Sequence, residues 1–372
     1  MSGFFIGTAW NQSSLSLHYR ALAHEMARRG HRVTVLVPNQ KRHLVNPSSN
    51  PAVFTWPSKR PTNLADALFL ARLIRQRRPD CLIANFGASN VMMLVGWLLR
   101  VPVRIDWYHT LSEQIEYDRP RSPWKARYLR QRKQLVYAMA TYLVANSHAA
   151  ARDIQRVYGL SDTKCSVKPY SLADPELQDC IDTLYAPQGG SVVCVGRLHP
   201  SKGQATLIRA AQELSGKHPG LRVTFVGDGP SRAEYETLAE SLGIRALCAF
   251  EGLQPQAQVF GYMRQSAFTV VPSLSEAFGM VAVESLAVGT PVIASNVGGL
   301  AEIIRDGLDG YLVPPGDPVA LAERMAILLE NPEQRRQMGR NARERFLTTF
   351  ERGRVIAELA DWLEHTVSYS SD

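Results

Sequence analysis

At 372 residues, with 45% hydrophobic and 20% charged side chains, the chain has the composition of a folded globular protein large enough for two cores. Its net charge of +8 is unevenly spread: residues 1–185 hold 25 Lys+Arg against 13 Asp+Glu, and residues 186–372 hold 17 against 21. Five scattered cysteines with no Cys-x-x-Cys argue against a disulfide scaffold. The lack of Asp-x-Asp, of zinc-ligand spacing and of Gly-x-x-x-x-Gly-Lys-[Ser/Thr] argues against the corresponding metal and P-loop chemistries.

Strand and helix patterns alternate along the chain, which predicts parallel sheets flanked by helices. Phe4–Gly7 reads as a first strand. A loop over Thr8–Ser14 leads to a helix with Leu15, Tyr19, Leu22, Ala23 and Met26 on one face, and Gly30 ends it. Arg32–Val37 is the second strand, Leu64–Arg78 a helix and Cys81–Ala84 a strand. The uncharged stretch Cys81–Leu99 is interrupted by Asn85, Gly87, Ser89, Asn90 and Gly96, so it reads as a buried strand and helix rather than a membrane span. Val101–Trp107 is strand, about 123–141 a basic helix and Tyr142–Ala145 strand. The pattern lapses between Pro169 and Gly190, the best linker. A second alternation follows, with strands at 192–195, 221–226, 268–271, 291–294 and 310–313, then helices from about 318 to 365. No charged n-region precedes an apolar segment at the start, so no signal peptide is expected.

Chemistry-bearing residues cluster in the second alternation. Ser273-Leu-Ser-Glu-Ala-Phe-Gly-Met-Val-Ala-Val-Glu284 follows the apolar strand Phe268–Val271 and opens a helix. A helix start presents unpaired N–H groups and partial positive charge, which suit phosphate oxygens. Glu276 beside it can accept hydroxyl protons from a sugar, and Glu284 lies two turns on. Val195-Gly-Arg-Leu-His-Pro-Ser-Lys-Gly203 places Arg197 and Lys202 in a loop after another strand, where two cations can neutralise a diphosphate. Val226-Gly-Asp-Gly-Pro230 ends the next strand, and Asn296-Val-Gly-Gly-Leu-Ala-Glu302 is a further Gly-rich turn. These sites lie at carboxyl ends of strands, where ligands bind in such folds.

The Glu-x7-Glu spacing and the three accompanying segments resemble the retaining GT-B glycosyltransferases, group 1 type, the large group that includes glycogen and sucrose synthases. The resemblance is strong over about 192–315 and looser before. It implies an α/β GT-B fold: two facing Rossmann-like, doubly wound parallel-sheet domains with a cleft between them. Residues 1–175 would be the acceptor-side domain, completed by a C-terminal helix at about 350–372, and 186–349 the nucleotide-sugar domain. The implied activity is metal-independent transfer of a hexose, with retention, from a nucleotide diphosphate to an acceptor hydroxyl in polysaccharide, lipopolysaccharide or glycolipid assembly. No cofactor is implied.

By the same resemblance Glu276 binds sugar hydroxyls, and Phe278, Gly279 and Met280 offer backbone N–H groups. Glu284 holds the ribose, Gly227 lies close to the donor, and Arg197 and Lys202 stabilise the departing nucleotide. His109, after strand Val101–Trp107, matches a histidine near the transferred sugar. Asp106, an odd number of residues earlier, points to the opposite face. The Gly-Gly pair usual after the first strand is here Thr8-Ala-Trp-Asn-Gln-Ser-Ser14, and the hinge-side motif is Pro169-Tyr-Ser-Leu-Ala-Asp174. A sugar phosphorylase, a sugar-nucleotide epimerase and a non-catalytic binding subunit remain as alternatives.

The basic first half implies an anionic contact. Residues 119–133 hold seven bases and no acid, with Trp124 and Tyr128 four apart. This run reads as a surface for anionic lipid headgroups or an acidic saccharide or lipid-linked acceptor, and no nucleic-acid module accompanies it. A cytoplasmic protein, peripheral on the inner face of the membrane, is the expected setting.

Overall fold

The structure is a computed structural model and describes residues 1–11, 13–39, 45–118, 122–175 and 190–369. Along the first half run β1 (Gly3–Gly7), α1 (Ser14–Arg28), β2 (Arg32–Val37), β3 (Ala52–Thr55), α2 (Leu64–Arg77), β4 (Cys81–Ala84) and α3 (Ser89–Leu98). Next come β5 (Val103–Tyr108), α4 (Ser112–Asp118), α5 (Pro123–Met139), β6 (Tyr142–Ala145), α6 (His148–Tyr158) and β7 (Cys165–Val167). The second half holds β8 (Ser191–Val195), α7 (Gln204–Ser215), β9 (Arg222–Val226), α8 (Arg232–Ser241), β10 (Cys248–Gly252), α9 (Gln256–Gln265) and β11 (Phe268–Val271). It continues with α10 (Met280–Ala287), β12 (Val292–Ser295), α11 (Leu300–Ile303), β13 (Gly310–Val313), α12 (Pro318–Glu330), α13 (Pro332–Thr349) and α14 (Arg352–Tyr369).

Two compact units result. The first comprises Met1–Thr110, Arg121–Ser171 and Arg352–Asp372, the second Leu111–Pro120 and Leu172–Glu351. Their sheets run β3-β2-β1-β4-β5-β6-β7 and β10-β9-β8-β11-β12-β13, with parallel pairing throughout. Parallel neighbours need crossovers, and helices supply them, so central strands are buried on both faces and read as unbroken apolar runs. Cys81, Leu82, Ile83 and Ala84 are all fully buried, as are Phe268, Thr269 and Val270. Local chemistry sets the helix ends. Asn63 and Asp66 form a reciprocal capping box on α2, while Ser147 caps α6 and Asp317 caps α12 ahead of Pro318.

Three strands escape the sequence patterning: β3, β7 and β10. Each is a sheet edge, and each is only partly buried, so its apolar signal is diluted. The long C-terminal helical stretch breaks at Asn331-Pro332 and at Phe350-Glu351 into three helices. The last of them, α14, packs on α1 in the first unit, where Arg29 bonds Asp361 at 2.6 Å and Glu364 at 2.9 Å. Cys81, Cys194 and Cys248 are buried free thiols, Cys165 is half-buried, and Cys180 lies outside the described residues. Most of the linker expected before Gly190 lies outside them as well.

Candidate functional site

In the second unit the loops after β8, β11 and β12 interlock through backbone. Gly203 sits at φ +66°, and a Cβ there would lie 1.9 Å from the Pro272 carbonyl oxygen. Gly298, at φ +49°, would place a Cβ 1.8 Å from the carbonyl oxygen of Glu276, which also accepts from Gly299 N–H at 3.0 Å. Leu274 N–H donates to Ser201 O at 2.9 Å. Glu276 is therefore gripped from two sides at the level of its main chain, a closeness that only glycine permits.

That grip aims the side chains. The Lys202 ammonium lies 2.6 Å from Glu276 Oε2, and both groups are partly buried. Ser273 Oγ donates more weakly to the same oxygen, at 3.4 Å. A charge-assisted contact this short orients both partners without a bound ligand. Arg197 is exposed, and its guanidinium has no partner among the described residues, although its carbonyl accepts from Gln204 Nε2 at 2.9 Å. Gly279, at φ +112°, caps α10 without a side chain, so Met280 is the first helical residue and Phe278 packs edge-on to Phe350. Glu284 is buried within α10, where Gln256 Nε2 donates to its Oε1 at 3.2 Å. Gly227 donates its N–H to Gly252 O at 2.8 Å, so this amide is already committed.

His109 belongs to the first unit and follows β5 directly. Asn85 Nδ2 donates to Gly7 O at 3.1 Å, which turns Asn85 Oδ1 toward His109 Nε2 at 3.0 Å. Nε2 must then carry the hydrogen, and Nδ1 accepts from the Tyr170 hydroxyl. Burial, with Lys133 and His18 nearby, pushes His109 down to about 3, so the ring is held neutral as one tautomer. Both nitrogens are occupied, so His109 is held as a fixed ring rather than a free base. Asp106 is wholly buried and burial raises its pKa, with the Lys133 ammonium 3.6 Å away.

Sequence patterning missed Asn85, Phe86 and Tyr170. Phe86 lies flat on the His109 ring, with centroids 4.1 Å apart and planes 14° apart. A detectable signal for Asn85 was its place just after a buried strand, as for Glu276 after β11.

On α5, Trp124, Tyr128 and Leu135 are 76%, 57% and 64% exposed and share one helix face, flanked by exposed Lys125 and Arg132 on one side and Arg127 and Arg130 on the other. Lys133 departs from that surface, turning inward over the Tyr137 ring. Arg119 and Arg121 lie outside the described residues. Among the described residues no group of three or more His, Cys, Asp or Glu side chains is placed to hold a metal, and no helix is long and apolar enough to cross a membrane.

The family model described as glycosyl transferases group 1 matches residues 187–345, and that of glycosyltransferase family 4 matches residues 15–169. A D-inositol 3-phosphate glycosyltransferase of Corynebacterium glutamicum is 34% identical over 290 residues, spanning 72% of this chain and 68% of the relative. The chain belongs to the glycosyl transferases group 1 family. The enzyme of the same name from Acidothermus cellulolyticus is 37% identical over 227 residues, 56% of this chain and 49% of its own length. The matched segments thus span about half to two thirds of these curated relatives.

Among solved structures, sucrose-phosphate synthase from Thermosynechococcus elongatus superposes with a TM-score of 0.79 at 21% identity, covering 99% of this chain and 100% of that one. Anabaena HepE in complex with UDP and glucose gives 0.75 at 20% identity, covering 98% and 99%. At those identities the likeness establishes the fold, and the fold of this group 1 chain is GT-B.

Proposed function

We propose that this group 1 chain is a retaining, metal-independent hexosyltransferase that takes its sugar from a nucleoside diphosphate. The observation that carries the reading is the Lys202–Glu276 pair, held at 2.6 Å beside the start of α10. A diphosphate can take the ammonium and the α10 amides while a sugar hydroxyl takes the carboxylate, with Arg197 as second cation. Glu284 would hold the ribose, with Phe278, Gly279, Met280 and Gly227 lining the donor by backbone. As the bond to the leaving phosphate breaks, Lys202 and Arg197 neutralise the charge that develops there, and that phosphate accepts the acceptor's proton on the same face. His109 is assigned to the sugar by the resemblance alone; held neutral, with its Nε2–H given to Asn85 Oδ1, it does not remove a proton.

The relatives of this chain are glycosyltransferases by name, which favours this reading over a phosphorylase, an epimerase or a non-catalytic subunit. Titration calorimetry with UDP, GDP and ADP should find at least one binder without added metal, followed by slow hydrolysis of the matching nucleotide sugar. A chain that binds none of the three sinks the proposal.

The acceptor is a saccharide or lipid-linked saccharide, reached from a membrane surface through α5. Its exposed apolar stripe between two rows of bases suits the boundary of an anionic bilayer. Four exposed bases at about 1 kcal/mol each correspond to roughly a 10²–10³-fold preference for anionic vesicles. Cosedimentation with phosphatidylglycerol and with phosphatidylcholine vesicles measures it, and equal binding to both rejects the surface. The setting proposed for the enzyme is peripheral, on the cytoplasmic side of the membrane.

A further inference from the structure

We propose that Phe86 is the platform on which a hydroxylated six-membered ring of the acceptor stacks. The inference rests on the glycosyltransferase reading above and names how its acceptor is held.

Phe86 follows β4 at the carboxyl edge of the first sheet and is 50% exposed. An exposed phenylalanine alone is unremarkable on a protein surface. Two further features set this one apart. Its backbone stands at φ +51°, a region unfavourable for any residue with a Cβ and more so for a bulky one. Its ring is also stacked on His109, whose orientation is fixed by Asn85 Oδ1 and by the Tyr170 hydroxyl, while Asn85 is fixed in turn by Gly7 O. The strained backbone thus presents a large apolar ring to solvent on a rigid backing, instead of burying it.

The backbone next to Phe86 is uncrowded. A Cβ added at neighbouring Gly87 would meet nothing closer than Pro61 Cδ, at 3.9 Å. The sheet order puts β1, β4 and β5 side by side, so the partly exposed Trp10 after β1 and His109 after β5 flank Phe86 at adjacent strand ends. An aromatic face carries negative charge density. The axial C–H bonds of a pyranose or cyclitol ring carry the complementary positive charge, and equatorial hydroxyls remain at the rim for hydrogen bonds. A flat, rigid, purely apolar ring therefore selects the C–H face of a hydroxylated ring, and phenylalanine needs no polar partner of its own there.

The test is saturation-transfer NMR on the full chain with methyl α-D-glucopyranoside and with myo-inositol as separate probes, recorded with the tightest-binding nucleoside diphosphate present. Irradiating the protein's aromatic resonances should transfer saturation into C–H protons of at least one probe. The transfer should fall at least several-fold in Phe86→Leu and in Phe86→Gly, and persist in Phe86→Tyr. Phe86→Gly also relieves the positive φ, so its thermal midpoint should hold while the transfer is lost, which a purely structural Phe86 would not allow. Undiminished transfer in Phe86→Leu overturns the proposal. So does Phe86-dependent transfer into the hexose protons of the matching nucleotide sugar in a companion sample without probes, which would move Phe86 to the donor. Diphosphate binding without any probe signal overturns the platform alone, whereas no diphosphate binding removes the glycosyltransferase reading beneath it.

Discussion

With Lys202 replaced by alanine, hexosyl transfer is expected to fall by about 10²–10³-fold, or roughly 3–4 kcal/mol of transition-state stabilisation. The negative charge that grows on the departing diphosphate is largest when the sugar–oxygen bond is nearly broken. A cation fixed beside that oxygen is therefore worth more in the transition state than in the bound substrate. The substitution also strands the partly buried Glu276 carboxylate that Lys202 touches at 2.6 Å, and an uncompensated carboxylate repels the incoming diphosphate. Because the two groups touch, Lys202→Ala and Glu276→Gln should be non-additive in kcat/KM, which a double-mutant cycle reads directly. A lone, partly solvated ion pair contributes only about 0–1 kcal/mol to folding, so the thermal midpoint should barely move. Lys202→Ala with an undiminished transfer rate would remove this residue from the chemistry.

How much of this was legible depended on whether the physics was local. Phe268–Val271 and Cys81–Ala84 announced themselves because a parallel strand buried on both faces is an apolar run bounded by polar turns. The Lys202 and Glu276 loops were legible for the same reason: each directly follows such a strand, and the chain delivers both to the same sheet edge. Edge strands β3, β7 and β10 were not, because half of each faces water. The support of His109 was also hidden. Tyr170 lies 61 positions away and Asn85 24 positions away, and the register of no single element relates them. They meet only because β4 and β5 are neighbours and the chain turns back over them after β7. His18 was overlooked on the apolar face of α1 because nothing in the sequence links it to Ser171, 153 residues on.

Below about pH 6.5 the first unit is expected to lose stability because of His18 and His109. His18 is wholly buried. Its Nδ1 lies 2.8 Å from Ser171 Oγ and accepts from Ser171 N–H at 3.1 Å, while its Nε2 is buried without a partner. Burial, with Arg352 adding repulsion, pushes it down to about 3, and His109 is lowered to about 3 as well. The unfolded chain protonates these rings near pH 6.5, and the folded one resists until far lower. Protons therefore favour the unfolded state across that interval. The stabilisation is complete above about 6.5 and drains as pH falls towards about 3.

At about pH 5 each ring is worth roughly 2 kcal/mol, so the pair removes a large share of an ordinary folding free energy. Among the carboxylates, buried Asp106 is raised by burial and takes up protons in the folded state as pH falls, which opposes the loss and is common to the native chain and a His18 variant. Glu25, lowered to about 2 by hydrogen bonds from Arg28 and Arg29, keeps its contribution until pH falls below about 4.5. Urea unfolding at about pH 7.5 and about pH 5 should therefore show the loss in the native chain. His18→Asn, which can still offer an acceptor to Ser171 but cannot titrate, should lose roughly 2 kcal/mol less over the same interval. Parallel pH profiles for the two proteins would mean that His18 is not the group that couples acid to unfolding.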